Sequence, residues 1–67
     1  MEEDLEKRIL EILREGPRTF EELVEALSWS GDKRGLRRVL AEMVKSGIIV
    51  KEPDYERRKM VFKVRGG

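Results

Sequence analysis

Residues 31–47, GDKRGLRRVLAEMVKSG, put Lys33, Arg34, Arg37 and Arg38 into the opening turns of a segment whose apolar residues recur at helical spacing. Advancing about 100° per residue from Leu36 places Arg34, Arg38, Ala41 and Lys45 on the face opposite the apolar one, with Arg37 beside them. A guanidinium can donate two parallel hydrogen bonds to O6 and N7 of guanine, and each good pair contributes about 1–3 kcal/mol of discrimination. An ammonium is a point charge that suits a phosphate better than a base edge. Cations near a helix N-terminus oppose the helix dipole, at about 0.3–1 kcal/mol each. The first helix begins Glu2-Glu3-Asp4 and suits its dipole, whereas this one carries the opposite charge. A polyanion explains that contrast better than solubility does. Arg34, Arg37, Arg38 and Lys33 are therefore expected at bases and Lys45 at phosphates. Gly35 and Ala41 are small enough to let the helix sit close to base edges.

Other chemistry is poorly supplied. Cysteine and histidine are absent, which removes disulfides, thiol nucleophiles, imidazole bases and the usual zinc ligands. No carboxylates stand at calcium-loop spacing. Met43 and Met60 fall at core spacing and need no cofactor. Neither catalysis, metal, cofactor nor small-molecule ligand is expected. A chain of 67 residues allows one domain with one small core. Its apolar runs are too short to span a bilayer and no signal peptide opens it, so a soluble cytoplasmic domain is expected, nucleoid-associated if natural.

The net charge of +1 conceals an asymmetry: residues 1–30 hold four Lys/Arg against nine Asp/Glu, or −5, and residues 31–67 hold eleven against five, or +6. Asn and Gln are missing beside abundant Lys, Glu and Arg, which fits either a hyperthermophilic source or a computational design.

These cations must be held by a few short elements. Leu5, Ile9, Ile12 and Leu13, widened by Leu10, predict a first helix over about 3–15, closed by Gly16-Pro17. Thr19 and Glu22 form a T-x-x-E capping box for a second helix over about 20–28, with an apolar face of Phe20, Leu23, Val24 and Leu27. Ser28-Trp29-Ser30-Gly31 is a turn, with Trp29 plugging the core beneath it. Asp32, or Ser30, caps a third helix over about 33–46. Leu36, Val39, Leu40 and Met43 form its core face, flanked by Val44, and Gly47 stops it. Strands at 48–52 and 59–64 flank the loop P-D-Y-E-R-R, within a hairpin over about 48–64. Met60, Phe62 and Val64 alternate with Val61, Lys63 and Arg65 as a half-buried strand. Gly66-Gly67 reads as a frayed end. The expected fold is mainly α with a small β-hairpin, order ααα-ββ, in one domain over 1–67.

That order matches a winged helix-turn-helix. The stretches E-E-L-V-E-A-L, G-L-R-R-V-L-A-E-M-V-K-S-G-I-I and K-E-P-D-Y-E-R-R-K-M-V-F-K-V resemble the DNA-binding module of MarR-type regulators, over roughly two thirds of the chain. The resemblance implies a bracing second helix, a third helix in the major groove and a hairpin wing whose tip, Glu56-Arg57-Arg58, reaches the minor groove. It adds Arg57, Arg58, Lys59 and Tyr55 as wing contacts, and Arg18 and Thr19 at the start of the second helix as backbone contacts. Ser28 and Ser30 are further phosphate donors. The turn before the third helix is about two residues longer than that family's, and its long dimerising helices are missing. A monomer or weak dimer is therefore expected.

Z-DNA-binding winged helices are a poor match, since Arg37 and Ala41 replace their Asn and Tyr. L-A-E-M-V-K-S-G-I-I also resembles, more weakly, the C-terminal winged helix of archaeal MCM helicases. The expected function is sequence-specific binding of double-stranded DNA. The alternative is a protein-interaction or helicase-regulating module that uses helix one and its acidic patch (Glu2, Glu3, Asp4, Glu6, Glu11). An RNA-binding winged helix is a third possibility.

Overall fold

Thr19 begins the organisation of the chain, because its side chain and backbone both serve the helix that follows it. Its hydroxyl accepts the Glu22 N–H at 3.1 Å, and its own N–H donates to Glu22 Oε1 at 2.8 Å. The reciprocal pair satisfies two donors that a helix start leaves open. In the computed structural model, which describes residues 2–66 and side chains from Asp4 onward, helices α1 (Glu2–Arg14), α2 (Phe20–Ala26) and α3 (Arg34–Lys45) precede strands β1 (Ile49–Asp54) and β2 (Lys59–Val64). Gly67 and the side chains of Glu2 and Glu3, expected in the frayed end and the acidic patch, lie outside the described residues. The architecture is α+β in the order ααα-ββ, as the sequence predicts.

Two helices end in the same hydrogen-bond pattern. After α3 the N–H of Ile48 donates to Met43 O and that of Gly47 to Val44 O, with Gly47 at φ +82. After α2 the N–H of Trp29 donates to Val24 O and that of Ser28 to Glu25 O. Here a serine, at φ +53, occupies the left-handed position that normally takes glycine. The α2 stop thus falls at Ala26, two residues before the expected end, because the Ser28 turn closes the helix.

The core is formed by Ile9 and Leu13 of α1, Leu23 of α2 with Leu27 just past its end, Leu36, Val39, Leu40 and Met43 of α3, and Ile49 and Phe62 of the hairpin. Trp29 packs against this cluster, and its indole N–H donates to Asp32 O at 3.1 Å. β1 and β2 are antiparallel, with Ile49 opposite Val64 and Asp54 opposite Lys59.

Three details differ from the sequence expectation. Pro53 and Asp54 belong to β1 rather than to the loop, since β1 is an edge where proline removes no ladder bond. Arg18 pairs with Phe62 through both backbone bonds, at 3.0 and 2.7 Å, so β2 is flanked on both edges. Met60, expected inside, is 44% exposed, whereas Val61, expected outside, is 3% exposed. Phe62 faces the helical cluster and Val61 lies on the opposite side of the pleat. Met60 stands nearer the turn, opposite Pro53, and lines a surface groove. Among the described residues, no helix is long and apolar enough to cross a membrane.

Candidate nucleic-acid interface

The start of α3 is built around Asp32. One of its carboxylate oxygens accepts the Arg34 N–H at 2.8 Å and satisfies an open donor of the helix start. The N-cap itself is Lys33, with helical dihedrals and no side-chain bond, rather than the expected Asp32 or Ser30. The other oxygen accepts Arg34 Nε at 2.8 Å and lies 2.7 Å from Arg34 Nη2. The Arg34 side chain and backbone N–H both hold the Asp32 carboxyl below its usual range, and Asp32 raises the Arg34 guanidinium in turn. The pair is open to solvent, with the Arg34 side chain 89% exposed. An exposed pair of this kind stabilises little and opens at little cost. Trp29 lies beside Gly35, where a Cβ would meet its ring at ordinary contact distance.

The other α3 cations divide into two kinds. The Arg37 guanidinium stacks over the Phe20 ring at 4.4 Å from its centroid, so the start of α2 acts as a platform for it. Lys33, Arg38 and Lys45 are exposed and, among the described residues, have no carboxylate within ion-pair distance. Lys7 and Arg14 of α1 share that condition, so what sets α3 apart is that three such cations stand on one helix beside Arg34 and Arg37. Glu42 is the sole carboxylate of α3 and borders the same face.

In the hairpin, Asp54 Oδ1 accepts the N–H groups of Glu56 and Arg57, and its other oxygen meets the Arg57 guanidinium. The Arg57 N–H above all lowers the Asp54 carboxyl, and the side-chain bond to Asp54 raises the Arg57 guanidinium. Arg57 also reaches Glu22 Oε2 at 3.4 Å, which ties the hairpin to α2. Glu22 is lowered first by the Thr19 N–H, with Arg57 and Arg18 contributing beside it. The Arg57 charge is thus engaged by two carboxylates at the surface. Arg58, at φ +58, is exposed with no carboxylate partner among the described residues, and Tyr55 is 85% exposed. Lys59 lies 3.7 Å from Glu21.

The expected backbone contacts are placed unevenly. Thr19 is 4% exposed and its hydroxyl is engaged in the capping box, so it cannot reach a phosphate. The Arg18 guanidinium folds back on its own loop, donating to the carbonyls of Gly16 and Pro17. Ser28 and Ser30 are exposed in the turn before α3.

Sequence reasoning missed two contributors. Lys51 stands over the Phe62 ring at 5.6 Å, and Phe20, half-buried against the core as its place on the apolar face predicts, also carries Arg37 on its ring. Lys51 could have been found from its spacing, two residues beyond Ile49 and hence on the same pleat face. Phe20, Leu40, Ala41, Val44, Met60 and Phe62 line a groove of about 480 Å³ between α3 and the hairpin, bordered by Arg37, Lys51, Lys59 and Glu21. Among the described residues no group of three or more carboxylates could hold a metal ion. No family model matches the chain, and the comparisons with curated proteins and with solved structures give no match either.

Proposed function

We propose that the chain binds double-stranded DNA as a winged helix-turn-helix, with α3 in the major groove and the hairpin tip on the adjacent minor groove or backbone. One observation carries this reading: α3 buries Leu36, Val39, Leu40 and Met43 while its far side offers exposed Lys33, Arg38 and Lys45, free of carboxylate partners among the described residues. Its twelve residues make a rod about 18 Å long and about 10–12 Å across, and the roughly 12 Å width of the major groove admits that diameter. The order ααα-ββ and the MarR-like residue pattern support the same docking.

Within this reading Arg38 and Arg37 address base edges, and Arg34 joins them by exchanging Asp32 for the nucleic acid. Lys33 stands beside them at the bases, and Lys45, Arg58 and Lys59 meet phosphates, with Tyr55 next to the hairpin cations. The domain works as a monomer or weak dimer in the cytoplasm, in regulation of transcription.

Duplex-binding affinity measured across salt concentrations tests this. About six phosphate contacts give a log–log slope near −5. No measurable binding at low salt, or tighter binding to single-stranded RNA, contradicts it.

A further inference from the structure

The groove between α3 and the hairpin contains more apolar surface than a phosphodiester backbone can use. Its floor is Phe20, Leu40, Val44, Met60 and Phe62, and Met60 remains 44% exposed although buried positions lie next to it. Its border is cationic: Arg37, Lys51 and Lys59 surround it, against the single carboxylate of Glu21. Arg37 and Lys51 lie over the rings of Phe20 and Phe62, so their charges are held at the mouth of the groove. At about 480 Å³ the groove falls within the ~300–1,000 Å³ of ligand-sized clefts. It is not closed, however, because Ala41, Lys51, Lys59 and Met60 are all exposed along it. A small molecule is held by burying roughly 70–90% of its surface, which an open trough does not provide. A chain segment laid along the trough uses its full length.

We propose that this groove docks a protein partner through an acidic amphipathic helix, whose apolar residues at i, i+3, i+4 and i+7 enter the floor and whose carboxylates meet Arg37, Lys51 and Lys59. The occupant is chosen by charge complementarity. Three cations face one carboxylate that already spans 3.7 Å to Lys59, so a basic segment is repelled and an acidic one is steered in. The site does not depend on duplex binding, but it shares Arg37, Ala41 and Lys59 with the proposed DNA face. Partner and duplex therefore exclude one another, and the acidic segment displaces DNA by occupying its cations.

The test titrates the isotope-labelled full chain, without DNA, with a synthetic helical peptide of roughly 14 residues carrying Leu at the anchor spacing and Glu elsewhere. A scrambled peptide of the same composition is the control. Saturable shifts centred on Ala41, Val44, Lys51 and Met60 are expected. Affinity should fall about tenfold for the scrambled peptide, for Met60→Glu and for Lys51→Glu. Met60 and Lys51 are exposed, so both variants should keep the native spectrum elsewhere, and the shift map of the unmodified chain stands alone if one does not.

Equal binding of ordered and scrambled peptides, shifts outside the groove, or no saturation would overturn the inference. Saturable binding of laurate without binding of the peptide would overturn it too, in favour of a small amphiphile. Duplex affinity is measured separately by fluorescence anisotropy. Peptide binding without duplex binding leaves this site standing and removes the DNA reading, and the converse result does the reverse.

Discussion

Arg34 and Arg38 lie one turn apart on the same face of α3, yet only Arg34 meets a carboxylate, that of Asp32. Asp32 has two opposed effects, since it satisfies the Arg34 N–H at the helix start and also masks one of the cations that face a polyanion. Asp32→Ala should lower stability slightly, through the lost hydrogen bond to the Arg34 N–H. It should also tighten duplex binding about threefold to tenfold at low salt, because a masking charge is gone. Urea unfolding and anisotropy titration check the two halves, and unchanged affinity would exclude Arg34 from the interface. The carboxylates also set the response to acid. Asp32, Asp54 and Glu22 are all lowered by hydrogen bonds and neighbouring arginines. A group lowered on folding contributes stability that is present above its unfolded pKa and lost as pH falls through its folded one. Stability should therefore be flat from about pH 6 to 8, where no histidine titrates, and decline below about pH 4. Thermal unfolding across that range would show it, and a step near neutrality would contradict it.

The two helix stops illustrate how much local chemistry decides at the scale of the element. Gly47 adopts its left-handed turn without steric cost, whereas Ser28 holds the same conformation with a Cβ. Ser28→Gly should raise stability by about 1 kcal/mol, read from the urea midpoint at constant slope. A loss of stability would mean that the serine side chain contributes more than its backbone strain costs. The same locality explains what could be read from the sequence. The helices and the Thr19–Glu22 box follow from spacing within a few residues and are present in the structure. The expected Asp32 cap is displaced by one residue, with Lys33 at the N-cap and Asp32 bonding the Arg34 N–H from the position before it. The Arg18–Phe62 bridge joins residues far apart in sequence, so no local pattern announces it. Met60 and Val61 exchange places because alternation gives the two faces of a strand but does not say where helical cover ends. At the candidate interface, charge and face were legible for α3, while the pairing of each cation was not. Arg57 turns toward Asp54 and Glu22, and Arg37 toward Phe20, through contacts that only the folded chain creates.

At the scale of the whole molecule, the division of charge between residues 1–30 and 31–67 is a division between elements, which meet where Glu21 and Glu22 of α2 face Lys59 and Arg57 of the hairpin. The acidic segment supplies α1 and α2, and the basic one supplies α3 and the hairpin. The longest dimension, 31 Å, is just short of one turn of B-DNA, about 34 Å, so a single copy can address one half-site. Sequence reading must then rest on a few side chains of α3, and it is separable from electrostatic attachment. The decisive comparison is the affinity of Arg38→Ala and Lys45→Ala for a duplex selected from a random pool and for random duplex, at fixed salt. Base reading predicts that Arg38→Ala loses about tenfold or more on the selected site and much less on random duplex, while Lys45→Ala weakens both alike. A uniform loss for both variants on both duplexes would contradict base reading by α3 and leave only the attraction of a basic surface for a polyanion.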